Sequence, residues 1–204
     1  MIEFENNPKL ELQFYNKPTV EVAKNLLGKI LVKNINGILL AGIIVETEAY
    51  LAQNDEASHS YKGLSYRNKT MFKTCGHLYV YQIYGIHFCC NIVTGKENVG
   101  EAVLIRAIEP ISNIELMNKN RFGEKSILSK NIISLTNGPA KLCEALAITN
   151  NDDGVYLLEN NIYILDFQNI EPNKIVQTER VGITKSKELL LRFYIKDNLF
   201  VSKK

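Results

Sequence analysis

One stretch near the start of the chain constrains the fold more than any other. Two apolar runs, 29–33 and 38–50, are separated by a short polar stretch that ends in Asn36-Gly37. Asn-Gly is the dipeptide that tight hairpin turns favour, because both of its residues tolerate a positive φ angle. The pattern therefore predicts two antiparallel strands joined by a turn.

The other apolar runs are also short and are mostly separated by turns. They predict a hairpin over 78–93 that turns near Tyr84-Gly85, a strand over 101–109 ending at Pro110, a third hairpin from 155–159 and 162–166, and late strands near 175–183 and 189–195. Helical spacing follows Pro18, Pro110 and Asn137. Because strands follow one another through turns more often than through helices, a mainly antiparallel sheet is favoured.

We therefore expect an α+β fold, with a mainly antiparallel sheet, flanking helices and a protruding β-hairpin. A length of 204 residues with 46% hydrophobic and 23% charged residues suits one domain and excludes a wholly disordered chain. Residues 1–16 are polar and are expected to form a loosely held N-terminal segment, with the single domain spanning 17–204.

The sequence favours a cytoplasmic protein with no membrane partner. No apolar run approaches the roughly 20 residues that span a bilayer, and the first 25 residues lack the core of a signal peptide. The four cysteines have no regular spacing, so they indicate no disulfide framework and fit a reducing compartment.

Two carboxylates stand on one face of an otherwise apolar strand. Within 43–51, the two-residue period of a strand places Glu46 and Glu48 on the same side, with Cα atoms about 7 Å apart. Buried charge is costly unless it is paired or used in chemistry. Either both acids are solvated where the strand surfaces, or one is a general base or nucleophile at a pocket rim.

Arg106 raises the same question on another apolar strand. Its neighbours over 102–108 are all apolar, so a guanidinium there needs an acceptor, which Glu46 or Glu48 would supply. The pairing is either a structural ion pair or a device that orients a catalytic carboxylate or its water.

Three tyrosines fall within six residues of the second hairpin. Tyr79 and Tyr81 share a face, which is typical of cross-strand packing. Tyr84 lies beside Gly85 at the expected tip, where a large aromatic side chain would be exposed. Exposed aromatic residues near basic ones suit stacking on bases or insertion into a duplex.

Cys75, His77, His87 and Cys89 are nearly symmetric about this hairpin. Their spacing differs from the usual zinc pattern, and residues in the middle of a strand more often belong to the core. No metal site is therefore expected.

A set of segments in a fixed order carries a resemblance to a known family. The segments are 45–51, 55–60, 67–68, 71–72, 76–85, 88–91, 104–110, 137–142, 180–183 and 191–194. In this order they resemble the 3-methyladenine DNA glycosylase family of the alkyladenine type, over most of the chain from about Pro18 onward.

The resemblance implies a single compact domain around a curved antiparallel sheet, with no metal or organic cofactor. It implies an enzyme that flips an alkylated or deaminated purine out of double-stranded DNA and hydrolyses the N-glycosidic bond, leaving an abasic site. The implied partner is double-stranded DNA containing damaged purines, and we expect a monomer. These segments contain no obvious lysine nucleophile, so strand cleavage by Schiff-base chemistry is not expected.

The resemblance also implies residue roles. Glu48 aligns with the general base, Arg106 with the arginine that holds the attacking water, and the backbone carbonyl of Val181 with that water's third contact. Tyr84 aligns with the residue that fills the gap in the duplex. The side chains implied to stack on, bond to or select the flipped base are Tyr50, His59, Tyr81 and Asn91.

The net charge of +2 conceals a basic region. No Asp or Glu occurs from Ala57 to Lys96, a stretch with five basic residues, all three histidines and five of the ten tyrosines. Its overlap with the implied base pocket makes it the expected phosphate-facing surface. The expected phosphate contacts are Arg67, Lys69 and Lys73.

Two other functions compete with this interpretation. A non-catalytic nucleic-acid-binding module of the same fold would have been freer to lose Glu48, Arg106 and His59, all of which are present. A carbohydrate glycosidase using Glu46 and Glu48 as its acid–base pair would leave Tyr84 at the hairpin tip unexplained.

Overall fold

The predicted N-terminal hairpin is the centre of the sheet. The computed structural model describes residues 3–123 and 132–203. Strands β1 (Ile30–Ile35) and β2 (Ile38–Tyr50) pair antiparallel through a turn in which Asn36 and Gly37 have φ angles of 52° and 87°. The turn adopts the positive φ angles that its dipeptide favours, and the hairpin is confirmed.

Six further strands and four helices complete the described fold. The strands are β3 (Leu78–Ile83), β4 (His87–Thr94), β5 (Glu101–Ser112), β6 (Ile162–Leu165), β7 (Ile175–Thr178) and β8 (Arg192–Ile195). The helices are α1 (Leu12–Tyr15), α2 (Thr19–Asn25), α3 (Ile114–Phe122) and α4 (Pro139–Ala145). The main path of the sheet is β3-β4-β5-β2-β1-β6, with β8 joining β2 to β7. Every named pairing is antiparallel, which confirms a single α+β domain around a curled antiparallel sheet.

Strand β2 changes its neighbour halfway along its length. Its first half pairs with β1, whereas Glu46, Thr47 and Glu48 pair with β8 on that side. Its pairing with β5 shifts register between Ile44 and Glu46 and again between Glu46 and Thr47. Such irregularities bend a strand and redirect its side chains. These shifts fall on either side of Glu46, two residues before Glu48.

Apolar side chains cover both faces of this part of the sheet. The larger cluster packs the helices against one face and includes Leu26, Ile44, Ile105, Leu142 and Phe193. A smaller cluster on the other face includes Ile30, Val32, Ile43, Val45 and Ala107. Glu46, Glu48 and Arg106 are consequently carried on strands that are buried on both sides.

The predicted third hairpin is wrong. Ile162–Leu165 forms β6 and pairs with β1, whereas 155–159 forms turns against the start of β3, with Leu157 donating its amide to the carbonyl of Gly76. A turn dipeptide fixes where the chain reverses but not which strand edge it then meets. The edge of β1 opposite β2 supplies that partner for β6.

Strand ends also differ from the expected ones. β5 continues through Pro110 to Ser112, because Pro110 lies opposite Gly42 at a register shift, where a missing amide hydrogen is tolerated. The late strands β7 and β8 are shorter than predicted.

The N-terminal segment is held more tightly than its polarity indicated. Tyr15 is fully buried in the larger cluster and Leu10 is almost fully buried beside it, while Phe4 packs in the smaller cluster. The amide of Leu10 donates to the carbonyl of Ile164. The expectation of a loosely held segment is therefore wrong for its described part, because a few apolar side chains among the polar ones anchor it beside β6.

Within 3–123 and 132–203, no helix has the length and apolar character needed to cross a membrane.

The close contact of β2 with β5 generates a stability prediction. A Cβ added at Gly42 would lie 2.7 Å from Cδ1 of Ile108 and 3.0 Å from the carbonyl oxygen of Glu109. G42A should therefore lower the free energy of unfolding in urea by about 1–3 kcal/mol, because the two strands must shift. G138A is the matched control, since an added Cβ there meets only side-chain atoms of Lys141 at 3.4 Å or more. Equal stability of G42A and G138A would contradict this packing.

Candidate active site

Glu48 is a fully buried carboxylate held by two hydrogen bonds and one ion pair. Its Oε1 accepts the amide N–H of Val181 at 2.7 Å and lies 3.3 Å from Nη1 of Arg106. Its Oε2 accepts the hydroxyl of Tyr50 at 2.9 Å. These contacts join β2, β5 and the loop before β8. A carboxylate provides about four acceptor positions, so the two hydrogen bonds from the described residues leave room for a further donor.

Glu46 is bound differently, and the difference separates the two carboxylates. Its Oε1 accepts bonds from Nε of Arg106 at 3.0 Å, Nε of Arg192 at 2.7 Å and the hydroxyl of Ser202 at 3.0 Å. Its Oε2 accepts the amide N–H of Ser202 at 2.6 Å. Glu46 is fully buried and accepts four hydrogen bonds, three on Oε1 and one on Oε2. Because none of them involves the cavity, the contacts of Glu46 favour a structural role over one in an acid–base pair with Glu48.

Arg106 connects the two carboxylates, so it serves both and not one alone. Burial by itself would lower the pKa of its guanidinium, but the charges of Glu48 and Glu46 raise that pKa overall. Arg106 therefore stays a cation, and its Nη1 is directed at Oε1 of Glu48. The structure shows an ion pair of Arg106 with Glu46 and a second contact at 3.3 Å with Glu48.

A second buried ion pair, between Arg180 and Asp55, lies next to Tyr50. The sequence analysis assigned this pair no role. Arg180 donates to both oxygens of Asp55 at 2.7 and 2.6 Å and to the carbonyl of Ala49 at 3.0 Å. The guanidinium carbon of Arg180 also lies 4.7 Å from the ring centre of Tyr50. The pair thus fixes the segments on both sides of Tyr50 and Val181.

The residues around the site that the sequence analysis missed differ in whether the sequence carries a signal for them. Arg192 is a charged residue within the apolar run 191–195, the same signal that identified Arg106. Asp55, Arg180 and Ser202 lie in polar loops, where no periodic pattern distinguishes them.

An aromatic cavity of about 170 Å³ opens next to Glu48. Tyr50 belongs to its wall and touches Glu48 through its hydroxyl, so the cavity and the carboxylate are one residue apart. The other lining residues are Ala57, His59, Met71, Tyr79, Tyr81, Asn91 and Ile183. All four residues that the sequence assigned to base binding therefore lie in one cavity wall.

Ring contacts hold the walls of this cavity in place. His59 meets Tyr81 edge-on at 4.5 Å between ring centres, and its Nδ1 lies 3.0 Å from the hydroxyl oxygen of Tyr79. Asn91, on β4, donates its side-chain amide to the carbonyl of Tyr79 at 3.2 Å. Contacts within the protein thus fix the orientations of His59, Tyr79 and Asn91.

The cavity walls are uncharged at neutral pH. Burial and then the charge of Arg67 lower the pKa of His59, so its imidazole is neutral. Burial, and next the charge of Glu48, raise the pKa of Tyr50, and burial also raises the pKa of Tyr81. The thiol of Cys89, opposite Tyr81, has its pKa raised by burial to about 12. The cavity therefore presents neutral aromatic faces beside one buried anion.

Tyr84 lies at the exposed tip of the β3–β4 hairpin. Its side chain is 90% exposed, and its φ of 50° lies in the left-handed region beside Gly85 at 74°. Ile86 next to it is 72% exposed. The expected protruding hairpin with an aromatic tip is thus present.

The acid-free region supplies six of the eight residues that line the cavity. Arg67 donates to the carbonyl of Gln82 at 3.3 Å, which ties the loop before β3 to the hairpin. The ammonium of Lys69 lies 4.6 Å from the ring centre of Tyr66, a residue that is 88% exposed. Lys69 and Lys73 are exposed as well. The three predicted phosphate contacts therefore lie on the surface.

The cysteines and histidines around the hairpin have other partners. His87 contacts Oε1 of Glu144 at 2.6 Å, and Nδ1 of His77 contacts the carbonyl of Thr74 at 2.8 Å. In the described part of the chain, no three His, Cys, Asp or Glu side chains are arranged to hold a metal ion.

The Arg180–Asp55 pair generates a prediction with a neighbouring control. D55N should lower the free energy of unfolding by about 3 kcal/mol, because it leaves a buried guanidinium without its counter-charge. E56Q breaks only the exposed bridge from Glu56 to Lys185 and should cost less than about 1 kcal/mol. Urea unfolding followed by circular dichroism compares the two. Equal losses of unfolding free energy in D55N and E56Q would show that the buried pair stabilises the fold no more than the exposed bridge does.

Comparisons with known proteins identify the family of this chain. The model of the methylpurine-DNA glycosylase family matches residues 13–199. A protein from Clostridium novyi is 48% identical over 96% of this chain and 99% of its own length, and one from Methanoculleus marisnigri is 46% identical over the same shares. A protein from Francisella tularensis subsp. tularensis is 50% identical over 91% of this chain and 94% of its own.

All three relatives carry the printed name "Putative 3-methyladenine DNA glycosylase". The family match covers most of the chain, including β2, β5, the aromatic cavity and the loop of Val181. The chain therefore belongs to the methylpurine-DNA glycosylase family, whose members are hydrolases that act on N-glycosidic bonds in DNA.

Proposed function

We propose that this enzyme removes alkylated or deaminated purines, of the 3-methyladenine and hypoxanthine type, from double-stranded DNA. A water activated by Glu48 hydrolyses the N-glycosidic bond and leaves an abasic site. The observation that carries the proposal is the direct contact of a buried, anchored carboxylate with the wall of an aromatic cavity through Tyr50.

The substrate class follows from the character of the cavity. A base must leave the helical stack to be reached, at a cost of a few kcal/mol. Tyr50, Tyr81 and His59 offer aromatic faces to such a base. Alkylation of a ring nitrogen makes a purine cationic, and aromatic faces attract cations by about 0.5–2 kcal/mol each. Because His59 is neutral, it does not repel that charge.

Asn91 gives the cavity its selectivity in this proposal. Its amide is fixed by the carbonyl of Tyr79, so it cannot turn away from an incoming base. The exocyclic amino group of guanine would approach this edge of the cavity. Guanine is therefore rejected, whereas hypoxanthine, which lacks that amino group, fits.

The chemical step uses the acceptor position that remains on Glu48. A water bound there loses a proton to the carboxylate as its oxygen bonds to the sugar carbon. The bond from that carbon to the base nitrogen breaks, and the base leaves with the electron pair. The anionic carboxylate also stabilises the positive charge that develops on the sugar. Arg106 keeps Glu48 oriented during this step, and the carbonyl of Val181 is the proposed third contact of the water.

Tyr84 and the basic residues act on the duplex itself. The exposed ring of Tyr84 fills the space left by the flipped base and so offsets part of the cost of unstacking. Arg67, Lys69 and Lys73 contact the phosphates.

Replacement of the proposed base tests the mechanism. E48Q should lower single-turnover base release from a duplex with one hypoxanthine or 3-methyladenine by at least about 100-fold, because the glutamine amide cannot accept the proton of the water. Alkali-induced strand breaks measure the abasic product. Binding to DNA with an abasic-site analogue should persist.

E21Q makes the same change on the exposed surface of α2 and should leave base release unaltered. Wild-type protein that binds both lesion duplexes but releases neither base would favour the non-catalytic binding module instead.

Tyr84 is tested by its effect on retention. Y84A should weaken binding to abasic-site DNA by about tenfold, because stacking of one base on an aromatic ring contributes about 1–3 kcal/mol. Y84F keeps the ring and should bind like the wild type. Electrophoretic mobility shifts at fixed salt give both affinities. If Y84A and Y84F bind equally well, Tyr84 does not fill the gap.

A further inference from the structure

The structure assigns a positioning role to Ser202: the C-terminal segment 201–203 is a latch that holds Glu46 and Arg106 and thereby aims Arg106 at Glu48. The inference rests on the proposed role of Glu48 as the base. It concerns residues that do not line the cavity, and it names the element that keeps the catalytic carboxylate oriented.

Ser202 contacts both partners of one ion pair. Its hydroxyl accepts a bond from Nη2 of Arg106 at 3.2 Å and donates to Oε1 of Glu46 at 3.0 Å. Its amide donates to Oε2 of Glu46 at 2.6 Å. A hydroxyl that accepts from the cation and donates to the anion fixes the relative orientation of both groups, which a single hydrogen bond does not.

The neighbours of Ser202 fasten the segment to the sheet. Val201 is buried, and the carbonyl of Lys203 accepts a bond from the guanidinium of Arg192 on β8. The same arginine donates to Glu46 from its Nε. The segment is therefore attached to β8 and to β2 at once, at the place where these two strands pair.

Glu46 depends on this segment for one of its oxygens. Oε1 has three donors, two of them from arginines, whereas the donor that the structure provides to Oε2 is the Ser202 amide. Without the segment, a buried carboxylate oxygen would lack its donor, and the carboxylate would rotate to seek another. Arg106 follows Glu46 because its Nε is bonded to it, and so its contact with Glu48 loosens.

The expected kinetic signature is a loss of rate without a loss of binding. S202A should slow single-turnover base release at saturating enzyme about tenfold, which is the effect of one hydrogen bond to a charged group. Affinity for abasic-site DNA should stay within about twofold of the wild type, since Ser202 lies outside the cavity. S202T keeps the hydroxyl and should restore the rate.

S112A is the matched control, because it removes a serine hydroxyl that contacts only the side chain of Asn113 among the bonds that the structure shows. It should behave like the wild type in rate and in affinity. If S202A lowers rate and affinity together, or is no slower than S112A, the latch is wrong.

A double-mutant cycle tests whether the effect passes through Arg106. If it does, adding S202A to R106Q should slow base release less than twofold further, because the contact that Ser202 supports is already lost. Multiplicative effects of the two substitutions would overturn the proposal. Thermal unfolding of each variant ensures that all assays are run on folded protein.

One measurement is independent of catalysis. Hydrogen exchange of the Arg106 Nε–H, followed by NMR, should be at least about tenfold faster in S202A than in S112A, because the Ser202 hydroxyl no longer links the guanidinium to Glu46 even though the Ser202 amide still binds Oε2. Unchanged exchange would contradict the latch even if base release is observed. A wild-type protein without base release would contradict the proposed function, while faster exchange in S202A would still support the latch.

Discussion

Four buried charges determine how this sheet is built. Glu46 and Glu48 on β2 meet Arg106 on β5 and Arg192 on β8, so two anions face two cations within the interior. Charges in a protein core are stable only when they are paired and fully hydrogen-bonded. β2 must therefore lie between β5 and β8 at this point, and the register shifts beside Glu46 allow all four side chains to reach one another. The position of Glu48 beside the aromatic cavity is a consequence of this pairing.

The same cluster gives two carboxylates of identical chemistry different surroundings. Glu46 accepts four hydrogen bonds, whereas Glu48 accepts two and contacts the cavity wall through Tyr50. In the proposed mechanism, Glu48 therefore binds and deprotonates the water while Glu46 holds Arg106. The neutral aromatic walls would place the Glu48 anion in surroundings of low polarity, where its effect on a developing positive charge is large.

The sequence predicts the strands that carry this charge cluster, because strands have a regular two-residue period. A two-residue period was sufficient to place Glu46, Glu48 and Arg106 on apolar strands, and a turn dipeptide was sufficient to place β1 beside β2. Periodicity does not encode which edge a strand meets, so β6 was assigned to the wrong partner. Nor does it encode contacts made by loops, which is why the Asp55–Arg180 pair and Ser202 were assigned no role. The residues proposed to bind the base were identified through resemblance to a family, and not through any pattern of polarity.

The long sequence separations within the charge cluster affect how the protein folds. Glu46 meets partners that lie 60, 146 and 156 residues further along the chain. No contiguous fragment of moderate length contains the cluster, and chains rich in such distant contacts fold slowly. The donors of Glu46 are brought together only when β2, β5, β8 and the segment 201–203 have assembled. The buried charge cluster therefore forms with the complete fold and not within any one part of it.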